Sequence, residues 1–375
     1  MKQTLSLITH NNSSLNKSNL EVFATTLESL ADTNRNIVVV TSDSRGSGKL
    51  VPFGQKFPNQ IVELGIAEQN LVGVSAGLAS TGKTVFAVSP ACFLTARALE
   101  QIKNDVAYSD NAVVLVGISA GVSYGALGTT HHSLHDFAVL RAINNLIVVA
   151  PADNFETEQA IRQAAALNKP IYLRFGKKAM PFNLAEKWDT DDTDSAKHRF
   201  SQIKEKNLWK SVRSAVAVGT SVSSVSHVSQ NFQFGKGRIV REGSDLTFIG
   251  IGETVSPAFE AAEKLASEHG IQAKVVSMHT IKPLDYELIS AIASEGKPII
   301  TVEEHSIFGG LGEATASFLM QNGFRNSFKI MGIPDEYTVT GSQNEIFNHY
   351  GISENGLANT ALELLKKEVV SLFYA

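Results

Sequence analysis

The stretch "IVELGIAEQN" (61–70) places an acid, Glu68, at the point where an apolar, small-residue helix begins, "LVGVSAGLAS". A carboxyl drawn into such surroundings loses water and favours either a proton or a charged partner. Chains tolerate that cost mainly where a proton donor is needed in a dry place. Glu68 reads equally as a first-turn acid that suits the helix dipole, and position alone leaves both readings open. "THHSLHD" (130–136) follows the Gly-rich loop 119–130 and gathers three histidines and an aspartate. His131 lies just beyond a strand, where it suits substrate or acid–base work and also capping or packing. His132 and His135 have the i, i+3 spacing of a metal pair on one helix face. Cys92 is the only cysteine, however, and no second His/Cys cluster completes a site, so zinc is not expected. Arg174 in "YLRFGKK" ends an apolar strand and suits a substrate phosphate or carboxylate, whereas Lys177 and Lys178 read as a solvated basic turn. "GIGETV" (250–255) and "FGGLGEA" (308–314) match neither G-x-G-x-x-G nor a P-loop. They read as tight turns between packed strands and helices.

These residues need a scaffold, and the sequence supplies one. Six β-branched runs, 36–40, 60–64, 84–88, 111–118, 146–150 and 170–175, read as strands buried on both faces. Helix-length segments at 67–81, 95–109, 133–143 and 154–167 lie between them. That alternation predicts an α/β fold with a parallel sheet covered on both sides. The pattern breaks over 184–233, with "DTDDTD", a basic stretch and a Ser/Val tract, read as an enlarged linker with one short helix near 200–215. A second, smaller α/β unit follows, with strands at 244–252, 272–278, 298–304 and 327–333 and helices at about 255–268, 285–294, 310–322 and 353–372. The predicted division is therefore a flexible lead-in (1–17), a first domain (18–183), the linker (184–233) and a second domain (234–375). A net charge of -4 gives no footprint for nucleic acid or an anionic membrane. No window matches a signal peptide or membrane helix, and the single cysteine suits a reducing compartment. A cytoplasmic protein is expected.

Several motifs then fall into one family order. "ELGIAEQNLVGVSAGLA", "ACFLTARALEQIKNDVAY", "GTTHHSLHDFAVLRAINNLIVVAPAD", "YLRFGKKAMP", "MHTIKPLD" and "EEHSIFGGLGEA" resemble the thiamine-diphosphate-dependent transketolases and their relatives over residues 18–183 and 234–372. The resemblance implies a parallel-sheet pyrimidine-binding domain followed by a smaller α/β transketolase C-terminal domain. It assigns Glu68 to the cofactor's pyrimidine N1′, where a protonated carboxyl promotes the imino form that activates the thiazolium carbon. Phe93 would cover the pyrimidine ring and Arg97 would belong to the same cofactor site. His131 would contact sugar hydroxyls as a catalytic residue, and His132, Arg174 and Ser44 would line the substrate site.

The family's first domain, with its GDG…N motif for Mg²⁺ and the diphosphate, has no counterpart motif here. The expectation is therefore one subunit of a split transketolase, active in a heteromer, as a heterotetramer, with an N-terminal subunit that holds Mg²⁺. Its reaction would be transfer of a two-carbon ketol unit between phosphorylated sugars. Leu127 stands where many relatives have an acid, and His132 where they have glutamine. Both positions would lie close to the sugar, and the "THHSLHD" and "YLRFGKK" variants resemble split transketolases of unusual sugar phosphates, such as the branched apulose 4-phosphate. Rival expectations are the beta-type subunit of a 2-oxo acid dehydrogenase, half of a deoxyxylulose-phosphate synthase, and a non-catalytic scaffold that binds only a partner.

Overall fold

The computed structural model describes residues 16–185 and 231–373. The Val/Ile-rich runs form the expected parallel strands: β1 (Ile37–Thr41), β2 (Ile61–Glu63), β3 (Thr84–Pro90), β4 (Val113–Ile118), β5 (Ile147–Val149) and β6 (Ile171–Arg174). In the sheet they lie in the order β5-β6-β4-β3-β1-β2, all parallel. Side chains alternate across a strand, and both sets are apolar here. Val38, Val40, Val85, Ala87, Val113 and Leu115 point to one face, against Leu71 and Val72 of the Glu68–Ser80 helix. Ile37, Val39, Phe86, Val88, Val114 and Val116 point to the other, against Leu20, Phe23 and Leu27. Those last three belong to an unanticipated helix, Asn19–Thr33, which opens with a capping box between Ser18 and Glu21.

One helix was expected over 95–109; the chain instead breaks it into Ala91–Arg97, Leu99–Gln101 and a wide π-helical segment, Ile102–Tyr108. The helix expected at 133–143 begins only at Asp136 and ends at Arg141. The second unit holds β7 (Arg238–Arg241), β8 (Leu246–Gly250), β9 (Ala273–Ser277), β10 (Thr280–Lys282), β11 (Ile299–Ser306) and β12 (Phe328–Ile333). Its own sheet runs β12-β11-β8-β9-β7, with β7 antiparallel to β9. The exception is β10, which leaves that sheet and pairs antiparallel with β5, completing the edge of the first one. The two units also share apolar core. Leu140, Ile143 and Leu146 of the first sit in one cluster with Ile249, Ile281 and Ile289 of the second. The expected linker over 186–230 and its short helix lie outside the described residues.

Candidate functional site

The carboxyl ends of β2, β3, β4 and β6 deliver the chemistry-bearing residues to one edge of the first sheet, where ligands of open α/β sheets bind. After β2 the chain turns at Gly65, at positive φ, and the Glu68–Ser80 helix begins with Glu68 itself. The acid is buried, at 4% exposure. Its Oε1 accepts a hydrogen bond of 2.9 Å from Arg97, a guanidinium about half exposed at the end of the Ala91–Arg97 helix. Burial and pairing therefore occur together, as desolvation demands. Arg97 also lies 4.3 Å from the centroid of the Phe93 ring, one helical turn earlier.

From Phe93 the contacts continue without a gap. Phe93 meets His131 edge to face at 5.4 Å, and His131 meets Tyr124 in the same way at 5.4 Å. Lys177 Nζ stands 4.3 Å from the Tyr124 ring, and burial lowers the pKa of this lysine. His131 Nδ1 is 3.0 Å from the Thr130 hydroxyl. The site is thus a file of side chains, Glu68, Arg97, Phe93, His131, Tyr124 and Lys177, drawn from four strand ends. Burial pushes the Cys92 thiol up to about 11, so the one cysteine beside this file is no nucleophile near neutral pH.

Three residues expected at the substrate make internal contacts in this structure. Arg174 is 5% exposed and faces the second unit. Its Nε donates to Asp136 at 2.8 Å within the first unit and its Nη2 to the Glu304 carbonyl of the second at 2.8 Å, with Nη1 3.8 Å from the Glu304 carboxylate. His132, buried at 4% exposure, uses both ring nitrogens internally, toward Thr338 and the Gly125 carbonyl. Ser44 is also buried, and its hydroxyl donates to the Ser42 carbonyl at 2.8 Å, closing a turn. The i, i+3 histidine pair is not on a helix: His132 and His135 precede the first residue, Asp136. Among the described residues no group of three or more His, Cys, Asp or Glu side chains is arranged to hold a metal ion. Leu127, at 55% exposure, lies in the same Gly-rich loop as His131.

The Gly-rich turn 308–314 takes no phosphate role, because its helix N-terminus is already filled. The Glu303 carboxylate accepts the Leu311 and Gly312 amides at 2.7 and 2.8 Å, and a Cβ on Gly310 would stand 1.8 Å from it. Burial raises Glu303 to about 7 against the pull of those amides. Sequence reasoning missed Tyr124, read only as part of the loop; Lys177, read as solvated, is exposed and sets its ammonium over that ring. An aromatic in a glycine-rich loop beyond a strand was the available signal.

Two family models match the chain: the transketolase pyrimidine binding domain over residues 17–183 and the transketolase C-terminal domain over 235–357. The chain is 43% identical over 345 residues to a subunit of the apulose-4-phosphate transketolase of Phocaeicola vulgatus, covering 92% of this chain and 96% of that one. It is 34% identical to the 1-deoxy-D-xylulose-5-phosphate synthase of Heliobacterium modesticaldum, but over only 46% of the synthase. A solved structure of a split gene transketolase, an inactive beta4 tetramer, superposes with a TM-score of 0.71 at 29% identity, covering 94% of this chain and 99% of that chain. With those matches joined to the geometry above, this chain belongs to the transketolase family, in the form of a subunit carrying the pyrimidine-binding and C-terminal domains.

Proposed function

We propose that this chain is the C-terminal subunit of a two-subunit, thiamine-diphosphate-dependent transketolase that moves a two-carbon ketol unit between phosphorylated sugars in the cytoplasm. The observation that carries the proposal is the juxtaposition of a buried acid, an aromatic face and a histidine at one strand edge: Glu68, Phe93 and His131. A buried carboxyl beside an aromatic ring fits the polar edge and flat face of an aminopyrimidine. Glu68 and Phe93 would hold that end of thiamine diphosphate, with Arg97 beside them. When bound, the cofactor supplies a carbon nucleophile for a ketose carbonyl.

The chain's own residues then orient the sugar. The Thr130 contact engages His131 Nδ1, which leaves Nε2 as the nitrogen to hold or move a proton at a sugar hydroxyl. Lys177, rather than Arg174, offers a cation on this side of the sheet. A partner subunit would hold Mg²⁺ and the diphosphate, in a heterotetramer, as expected for a subunit of a split transketolase. Further support comes from relative lengths: the apulose-4-phosphate transketolase subunit of Phocaeicola vulgatus is matched nearly end to end, the synthase over about half. Apulose 4-phosphate is accordingly the first substrate to test.

The test mixes the purified chain with an N-terminal transketolase subunit. Alone, the chain should bind little thiamine diphosphate by calorimetry and turn nothing over; together, they should cleave a ketose phosphate and extend an aldose phosphate. Tight Mg²⁺-dependent binding and turnover by the chain alone would refute the two-subunit reading. Pyruvate decarboxylation without ketose cleavage would favour the deoxyxylulose-phosphate-synthase reading, for which the 34% identity speaks.

A further inference from the structure

The loop that carries His131 rests on the second unit, not only on its own. Its underside meets a short segment, Thr338–Gly341, at three places. The Thr338 hydroxyl lies 2.6 Å from His132 Nδ1 and 3.1 Å from the Thr129 hydroxyl. Gly125 and Gly128, both at positive φ, come so close that a Cβ would stand 2.5 Å from the Gly341 carbonyl and 3.0 Å from the Thr340 methyl. The proton positions follow from the acceptors. The Gly125 carbonyl only accepts, so His132 Nε2 carries the hydrogen and donates to it at 3.0 Å. In a neutral ring Nδ1 must then accept, and the Thr338 hydroxyl is its donor. The Thr338 oxygen in turn accepts from Thr129. Burial, which lowers the His132 pKa, favours that neutral ring. Each polar hydrogen of the chain has one place to go, and Thr338, buried at 7% exposure, is its hub.

We propose that Thr338 is a positioning residue for the sugar: through Thr129 and His132 its hydroxyl fixes the two residues between them, Thr130 and His131. The proposal rests on the reading of His131 as the sugar-hydroxyl ligand. It turns His132 from a second substrate contact into the link between that ligand and the C-terminal domain, and it places a determinant of substrate affinity in a domain that contributes nothing to the file from Glu68 to Lys177.

Two substitutions in the full chain test it. Thr338→Val keeps the branched shape and removes the hydroxyl; Thr338→Ser keeps the hydroxyl. The first measurement is backbone hydrogen exchange over 121–135, where the His131 and His132 amides donate to the Gly128 carbonyl and the Ser133 amide to that of Gly121. Thr338→Val should speed exchange there by about threefold to tenfold, the range of one neutral hydrogen bond, and Thr338→Ser should restore it. The second measurement, on the enzyme reconstituted with its partner subunit, is the KM–kcat split. KM for the sugar phosphate should rise by a similar factor in Thr338→Val, with thiamine diphosphate affinity unchanged and Thr338→Ser near wild type. Unchanged exchange in Thr338→Val, or equal changes in both variants, would overturn the proposal, the latter by assigning the effect to packing. Faster exchange with an unmoved KM would overturn the substrate role. A wild-type enzyme inactive on sugar phosphates, with the exchange response intact, would instead overturn the functional reading and leave the loop's support established.

Discussion

At the scale of single residues, the acid at a helix mouth was legible because burying a carboxyl is costly enough to need a reason. Its partner was not, since nothing in local spacing links Glu68 to Arg97, 29 residues on. Arg174 and Lys177 show what local spacing leaves open. Both follow one strand, and the arginine looked the better anion ligand. The second unit covers the end of β6, however, so Arg174 is absorbed at the seam while Lys177 reaches the Tyr124 ring. If Glu68 serves the cofactor, Glu68→Gln keeps the size and loses the carboxyl. Deuterium exchange at the thiazolium carbon of bound cofactor, in the reconstituted heteromer, should then slow by about 10²–10⁴-fold. Stability should change little, because the amide is nearly isosteric, keeps an oxygen to accept from Arg97, and spares the cost of burying a charge. Equal exchange rates at equal cofactor occupancy would remove Glu68 from the mechanism.

At the scale of elements, the long parallel strands were readable because both faces are buried, which writes them as continuous Val/Ile runs. The short ones were not. Thr280–Lys282 is three residues followed by Pro283; only the open edge of β5 makes it a strand. "RIVR" (238–241) hid because it begins and ends with arginines, and both are almost wholly buried. Arg238 crosses from β7 to the first unit, donating to Glu156 at 2.7 Å and to Asn183 at 3.1 Å, with Asp153 at 3.4 Å. Those acids cap and open the Asn154–Leu167 helix. Arg238→Met would leave two carboxyls buried without their cation, and removing one partner from a buried pair costs about 3–5 kcal/mol. Arg162→Met, which breaks the exposed Glu158–Arg162 pair four residues apart on that helix, should cost about 0.3–0.5 kcal/mol. Urea unfolding of both variants checks the contrast. Similar losses would show that Arg238 is solvated and that β7 does not bind the units together.

At the scale of the molecule, two α/β units were legible from the repeating pattern, but their seam was not, because it pairs residues far apart in sequence. The Val122 amide donates to Glu304 across 182 positions. The seam is also where the titratable groups concentrate, and that sets how stability responds to pH. Burial, reinforced by repulsion from Glu253, raises Glu304 to about 8; burial raises Glu253 as well. Burial and the neighbouring Glu156 raise Asp153 to about 7, and burial brings Glu303 to about 7. Asp153, Glu303 and Glu304 are ionised in the unfolded chain above about pH 4 but keep their protons in the fold up to about 7, 7 and 8. Unfolding between those limits releases protons, so these groups make stability fall as pH rises. Two buried histidines work the other way. Burial lowers His279 and His305 to about 4, so their unfolded forms bind more protons below about pH 6.5, and stability gained from them rises with pH up to that point. From about pH 6.5 the histidine contribution fades, reaching little by about pH 7.5, and the carboxyls outweigh it. The unfolding free energy should therefore decline between about pH 6.5 and pH 8, by about 1.4 kcal/mol per pH unit for each proton fully released. Glu304→Gln retains an oxygen for the Val122 amide but cannot titrate, and should flatten the decline. Urea unfolding at constant ionic strength across that window measures both slopes. A wild-type stability that is level or rising from pH 6.5 to 8 would show that the seam's carboxyls are ionised in the fold, held by Arg174 and Arg238 against their burial.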